Sequence, residues 1–258
     1  MSGGHPPTPQ AVLITGSAVR IGRTIAKAMA AEGWAIAVHH QNSGDEAEHL
    51  VAAVNDAGGQ AVALQADLSD EAQTGELLSR ATEALGPIGC LINNASTFEY
   101  DDVAGVTRSS WDFHMEVNLR APFVLSQAFA AALPEGNAGA IINVIDQRVW
   151  NLTPHFVSYT LSKAGLWTLT QTLALALAPR IRVNAIGPGP VLPSVRQTRE
   201  EFEAQCRRTP LGHGASAAEV ADAVRFILAA PAMTGQMLAL DGGQHMGWTT
   251  PEITEPEE

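Results

Sequence analysis

Tyr159 and Lys163 stand four residues apart in a stretch of helical pattern, which puts both side chains on one face. A free phenol ionises at a pH of about 10, too high to exchange protons readily near neutrality. An ammonium about 4 Å away, at an effective dielectric of about 20, favours the phenolate by about 4 kcal/mol. At about 1.4 kcal/mol per pKa unit, that would bring the phenol toward pH 7. The pair is therefore a candidate acid–base couple. Asp146 closes the apolar run 140–145 and is a candidate third member; the alternative is that it caps the following turn or pairs with Arg148. Taken alone, Tyr-x-x-x-Lys is common, and a packed phenol beside a solvated ammonium explains it as well.

The elements that must position these residues follow an alternating pattern. Apolar runs of strand length fall at 10–15, 34–39, 60–65, 88–92, 140–145, 181–186 and 237–240. Helical patterns lie between them, over 20–32, 43–54, a segment ending at 85, 110–132, 154–178 and 216–229. Ser43-x-x-Glu46 and Ser216-x-x-Glu219 both read as capping boxes. Continuous apolar strands alternating with helices predict a single α/β domain, a parallel sheet covered on both faces, over 10–248. Residues 1–9 read as a flexible leader and 249–258 as an acidic tail with too little apolar surface to fold. Ligands in such sheets bind beyond the carboxyl ends of the strands. Six separate segments deliver chemistry to that edge: Thr15-Gly16, His39, Asp67, Asn93-Asn94, Asp146 and Gly187-Pro188.

The segment from Thr15 to Gly22 joins the first strand to the first helix, and Gly16 lets the chain turn tightly. The unpaired N–H groups of that helix start suit a pyrophosphate. Past the second strand, a carboxylate would bind the ribose hydroxyls of NAD. Here the residues are His39, His40, Gln41, Asn42 and Ser43, with no acid before Asp45, which tilts the choice toward NADPH. Arg20 could reach the extra phosphate or the pyrophosphate. Packing at the strand end is the plainer use for the two histidines.

Bulk composition narrows the rest. A 46% hydrophobic content with 16% charged residues supports a large core, and no run is long enough to span a membrane. A formal charge of −12 argues against nucleic acid and anionic membranes as partners. Cys90 and Cys206 form no metal or redox spacing, and with no export signal a reduced cytoplasmic setting is expected.

The ordered motifs Thr15-Gly16-(x)4-Ile21-Gly22, Asp67, Asn93-Asn94-Ala95, Asn118, Tyr159-(x)3-Lys163 and Pro188-Gly189 resemble the short-chain dehydrogenases/reductases over residues 11–243. The resemblance implies a single Rossmann-type domain with a seven-stranded parallel sheet, a dinucleotide cofactor and a homotetramer. It implies Tyr159 as proton donor, Lys163 lowering its pKa and holding the nicotinamide ribose, and Asn118 holding a relay water. Gly16, Arg20, Ile21 and Gly22 would flank the phosphates. His39 and His40 would lie beyond the second strand, and Asp67 and Leu68 near the adenine. Asn94, Ala95, Ser96, Pro188 and Gly189 would line the cofactor cleft.

Two departures are informative. Arg20 stands where most members carry Gly, and Asp146 stands near the place of their catalytic Ser. With Asn94-Ala95-Ser96-x-Phe98, these features are similar to the pteridine reductases and dihydromonapterin reductases. That branch implies Phe98 stacking on a pterin, Ser96 and Arg20 touching cofactor and substrate, and Asp146 orienting Tyr159 and relaying protons. The expected activity is NADPH-dependent reduction of a dihydropterin C=N. A carbonyl reductase or alcohol dehydrogenase is the alternative, and a cofactor-sensing binding protein without turnover a more distant one.

Overall fold

The computed structural model describes residues 8–194 and 196–247. Most of the leader and the whole acidic tail lie outside the described residues. Seven strands form one parallel sheet: β1 (Ala11–Ile14), β2 (Ala35–His40), β3 (Ala61–Gln65), β4 (Cys90–Asn93), β5 (Gly139–Val144), β6 (Ile181–Pro188) and β7 (Met237–Leu240). Their spatial order is β3-β2-β1-β4-β5-β6-β7. All residues of β1, β4 and β5 are buried, which explains why these runs read as continuously apolar.

Alternation of side chains divides the core into two layers. Val12, Ile14, Ile36, Val38 and Ile92 pack on one side against α1 (Arg20–Ala31), α2 (Gly44–Asp56) and α8 (Ala217–Ala229). Leu13, Ala37, Leu91 and Ile141 pack on the other against α3 (Glu71–Leu85), α5 (Ala121–Ala132) and α6 (Val157–Ala176). Each fully buried Leu, Ile or Val contributes about 1.5–3 kcal/mol. The order reverses between β1 and β4, so the crevice for a ligand opens above their carboxyl ends.

Several local expectations change. Ser216 and Glu219 form the expected capping box, but Ser43 makes no side-chain cap bond, its backbone lying at φ −97°, ψ 54°. The helix expected over 110–132 begins earlier, as α4 (Arg108–Met115), passes through a π-helical turn at Glu116–Arg120 and continues as α5. The helix expected from 154 starts only at Val157, because Phe156 sits in the left-handed region at φ 58°. A further helix, α7 (Arg199–Arg207), starts with a Thr198/Glu201 capping box.

Candidate active site

At the switch point the chain builds a cleft of about 600 Å³. One side of it rests on the turn after β1. Gly16 has φ +62°, and a Cβ there would lie 3.0 Å from the Ala95 Cα. A Cβ on Gly22 would lie 2.6 Å from the Asn94 Nδ2, so both positions require the missing side chain. The turn is tied to β4: Thr15 Oγ1 accepts the Asn94 and Ala95 N–H groups at 2.9 and 3.0 Å. The Asn94 amide donates back to the Thr15 and Gly16 carbonyls at 2.9 and 3.1 Å.

His39 reaches the same turn from β2. Its Nδ1 accepts the Gly16 N–H at 2.9 Å, which leaves the proton on Nε2, 3.2 Å from the Ala66 carbonyl. Both bonds need a neutral ring, and burial lowers its pKa to about 4. His39 thus braces the turn. His40, Gln41, Asn42, Ser43, Asp67 and Leu68 line the cleft beyond it, together with Ile21, Pro188 and Gly189. Asp67 accepts from the Ser69 hydroxyl and backbone N–H, which hold its carboxyl below the usual range.

Arg20 occupies a backbone position that disfavours any side chain, with φ +53°. Its guanidinium donates to the Pro193 and Leu192 carbonyls at 3.0 and 3.3 Å, bridging the turn after β1 to the strap that follows β6. Arg196 on the same strap donates to Glu99 at 2.9 Å and to the Phe98 carbonyl at 2.5 Å. Glu99 therefore helps hold the strap across the mouth of the cleft.

The other side holds the candidate chemistry. Tyr159 Oη donates to Asp146 Oδ2 at 2.8 Å, and Asp146 Oδ1 accepts the Arg148 backbone N–H at 2.7 Å. Asp146 both caps the short 3₁₀ turn Gln147–Val149 and holds the phenol, while the Arg148 side chain goes to Thr153 at 3.0 Å. Lys163 is buried and donates to the Val144 carbonyl at 3.0 Å. Its ammonium lies 5.8 Å from the Tyr159 ring centroid.

This geometry corrects the expected effect of Lys163 on Tyr159. Burial, then the charge of Asp146 and its hydrogen bond, push the phenol well above its ordinary value; the Arg148 charge and the Ser96 hydroxyl pull the other way. Lys163 is itself pulled down to about 8 by burial. Without a bound ligand the phenol therefore keeps its proton rather than approaching ionisation at pH 7.

Phe98 lies in the cleft wall, edge-on to Tyr159 with centroids 4.7 Å apart and stacked on Phe156 at 4.5 Å. Asn118 does not line the cleft. It sits fully buried in the π turn, where its Oδ1 accepts the Thr97 N–H at 2.8 Å. Its Nδ2 donates to the Thr97 carbonyl at 3.0 Å and to Ser162 at 3.1 Å. The amide that was expected to hold a water is spent on the loop carrying Ser96 and Phe98. Asn93 is likewise a brace, donating to Asn143 at 2.8 Å beneath the site.

Sequence reasoning did not find Phe156, Gln147 or the strap residues Leu192 and Arg196. The Thr198-x-x-Glu201 pattern, the same signal that revealed Ser216, would have located α7. Phe156 carried no signal, since nothing in the sequence marks a non-glycine residue for its left-handed backbone at φ 58°.

Comparison with known proteins agrees with the geometry. A family model described as enoyl-(acyl carrier protein) reductase matches residues 16–245. FolM alternative dihydrofolate reductase 1 of Brucella suis, solved with NADP, is 48% identical with a TM-score of 0.91, over 95% of this chain and 98% of that one. The Brucella canis protein of the same name, also solved with NADP, is 46% identical with a TM-score of 0.89 and the same coverage. A 3-oxoacyl-[acyl-carrier-protein] reductase of Synechocystis is 29% identical over 93% of this chain and 98% of its own length. The glycine cradle, the Tyr159–Lys163 helix and these full-length likenesses together establish that the chain belongs to the short-chain dehydrogenase/reductase family.

Proposed function

We propose that this oxidoreductase uses NADPH to reduce the C=N bond of a pterin-type substrate, taking a dihydropterin to a tetrahydropterin. The observation that carries the reading is the Asp146 carboxylate holding the Tyr159 hydroxyl at 2.8 Å, where most of the family places a hydroxyl. The likeness to the Brucella proteins, which share the name dihydrofolate reductase and were solved with NADP, supports both substrate class and cofactor.

The residues present fit the nucleotide. The space left by Gly16 and Gly22 lets a diphosphate approach the backbone at the start of α1. His40, Asn42 and Ser43 present no carboxylate to a 2′-phosphate. Arg20 would meet the phosphates once its bonds to Leu192 and Pro193 are exchanged. Lys163 would hold the nicotinamide ribose.

Bound NADPH supplies the hydride. Tyr159 supplies the proton to the ring nitrogen of the reduced C=N bond. Asp146 keeps that phenol protonated up to the moment of transfer and favours its reprotonation afterwards, because a phenolate beside a carboxylate is unfavourable. Phe98 offers an aromatic wall next to the donor. Ser96, whose hydroxyl also acts on Tyr159, would touch both cofactor and substrate. Asn118 would act through Thr97, by fixing this wall.

Dihydrobiopterin and dihydrofolate should support NADPH oxidation in preference to a panel of ketones. Turnover of ketones alone would overturn the reading in favour of carbonyl reduction, the activity that the Synechocystis relative's name carries. We further propose a homotetramer, supported by apolar side chains exposed on α4 (Trp111, Phe113) and α6 (Leu161, Leu175). Light scattering of the purified chain tests it. Among the described residues no helix is long and apolar enough to cross a membrane. A cytoplasmic setting is proposed with it, supported by the two free cysteines.

A further inference from the structure

The first turn of α6 lacks a cap of its own: Phe156 in the N-cap position makes no side-chain bond to the helix. The cap comes instead from a loop more than fifty residues earlier. The Asp101 carbonyl accepts the Phe156 N–H at 2.7 Å, and its carboxylate Oδ1 accepts the Ser158 N–H at 3.2 Å. The Ser158 hydroxyl also donates to Asp101 Oδ2. Asp101 and Ser158 are 3% and 0% exposed, so this carboxylate is committed to the helix start, where the dipole favours its charge.

His114 extends the cluster and fixes the direction of its protons. The Glu99 backbone N–H can only donate, and it meets His114 Nε2 at 3.0 Å. Nε2 must therefore carry the lone pair and Nδ1 the proton. Nδ1 lies 2.6 Å from Ser158 Oγ, which accepts there and passes its own hydrogen to Asp101. One ordered chain thus runs from Glu99 N–H through His114 and Ser158 to Asp101. Burial, which lowers the His114 pKa, keeps the ring neutral as this order requires.

The two ends of the chain matter. Glu99 follows Phe98, and Ser158 precedes Tyr159. We propose that Asp101 is a positioning residue for the reaction: through Ser158 and His114 it locks the loop bearing Phe98 to the helix turn bearing Tyr159, and so sets the substrate wall against the proton donor. The 4.7 Å edge-on contact of Phe98 with Tyr159 is the geometry so held. The proposal rests on the reading of Phe98 as the wall of a pterin site, but its structural part can be tested without any substrate.

Asp101→Asn makes the test. The amide oxygen can keep the Ser158 N–H, but the amide NH₂ then faces Ser158 Oγ and reverses its hydrogen. Ser158 must donate to His114 Nδ1, the ring proton moves to Nε2, and the Glu99 N–H is left facing another donor. In the full chain, long-range ¹H–¹⁵N NMR should show His114 as the Nδ1–H tautomer in the wild type and as Nε2–H in Asp101→Asn. The NOE between the Phe98 and Phe156 rings should weaken with it.

In kinetics, the dihydropterin KM should rise about tenfold, the scale of one lost hydrogen bond. NADPH affinity should stay within about twofold of wild type by the same standard. Adding Ser158→Ala to Asp101→Asn should raise KM no further, because both break one chain. If Asp101→Asn does not fold, Ser158→Ala alone carries the kinetic test, since it keeps the backbone cap and removes only the relay. An unchanged His114 tautomer in folded Asp101→Asn, or equal losses of NADPH and substrate affinity in either variant, would overturn the proposal. A normal tautomer switch in a protein that turns over no pterin would instead count against the substrate assignment.

Discussion

The Tyr159 hydroxyl and the Asp146 carboxylate share a 2.8 Å hydrogen bond, and the second carboxylate oxygen is anchored at 2.7 Å by the Arg148 backbone N–H. The acid is therefore held by the turn that follows β5 and does not depend on Tyr159 for its position. Removing it should leave the fold in place and change the phenol.

In Asp146→Ala, loss of the carboxylate removes both its charge and its hydrogen bond, each of which raises the Tyr159 pKa. The phenol should then titrate at lower pH than in the wild type. Ultraviolet titration can resolve this because the chain has only two tyrosines. Pterin turnover should fall by about 10²-fold, the scale of a misplaced acid–base group, with NADPH affinity nearly intact. Unaltered turnover would exclude Asp146 from the proton path.

Tyr159→Phe should depress kcat by about 10²–10⁴-fold, the usual contribution of a positioned proton donor. The ring contact with Phe98 survives in this variant, so substrate and NADPH affinities should change little. Parallel loss of rate and coenzyme affinity would refute this division of roles.

Lys163 is charged and buried, with a folded pKa of about 8 against an ordinary value of 10.5. The unfolded chain holds more protons between these values, so this group adds stability as pH rises through that window. At pH 7 its burial costs up to about 3 kcal/mol, taking about 1.4 kcal/mol per unit. Lys163→Met should therefore unfold at higher urea concentration at pH 7 while losing activity. A variant less stable than wild type would show that the bond to Val144 outweighs the cost of burial.

His39 works in the opposite pH range. Its folded pKa of about 4 lies below the ordinary 6.5, so the unfolded state binds more protons between them and stability is lost as pH falls. The loss should approach about 3 kcal/mol by pH 4, on the same conversion, and be smaller in His39→Gln. Protonation at Nδ1 also ends its acceptance of the Gly16 N–H, so NADPH affinity should hold until the pH approaches the folded value of about 4 and weaken only there. Urea unfolding and fluorescence titration from pH 7 to 4 measure both.

Much of the architecture was legible because each strand is buried on both faces and therefore reads as an unbroken apolar run. Val12-Leu13-Ile14 points alternately into two helix layers, and no polar residue is tolerated there. The helix interruption at Asn118 was not legible. A π turn leaves no mark on the 3.6-residue period until its neighbours are known, and here it is Thr97 and Ser162 that take the Asn118 amide. Ser43 shows the converse: its capping pattern is present, but at φ −97° and ψ 54° its side chain makes no hydrogen bond to the helix start.

The sequence by itself determined the parallel sheet, the glycine turn and the presence of Tyr159, Lys163 and Asp146 at one sheet edge. Those features follow from local periodicity and from strand ends, which sequence order records. Only the tertiary structure decided which partner each group takes. It placed Lys163 on the Val144 carbonyl, Asp146 on the phenol, Asn118 behind the wall and Asp101 at the head of a helix from a distant loop. Proton positions and buried charges depend on contacts a few ångströms across between segments far apart in the chain, and no spacing within one segment can encode them.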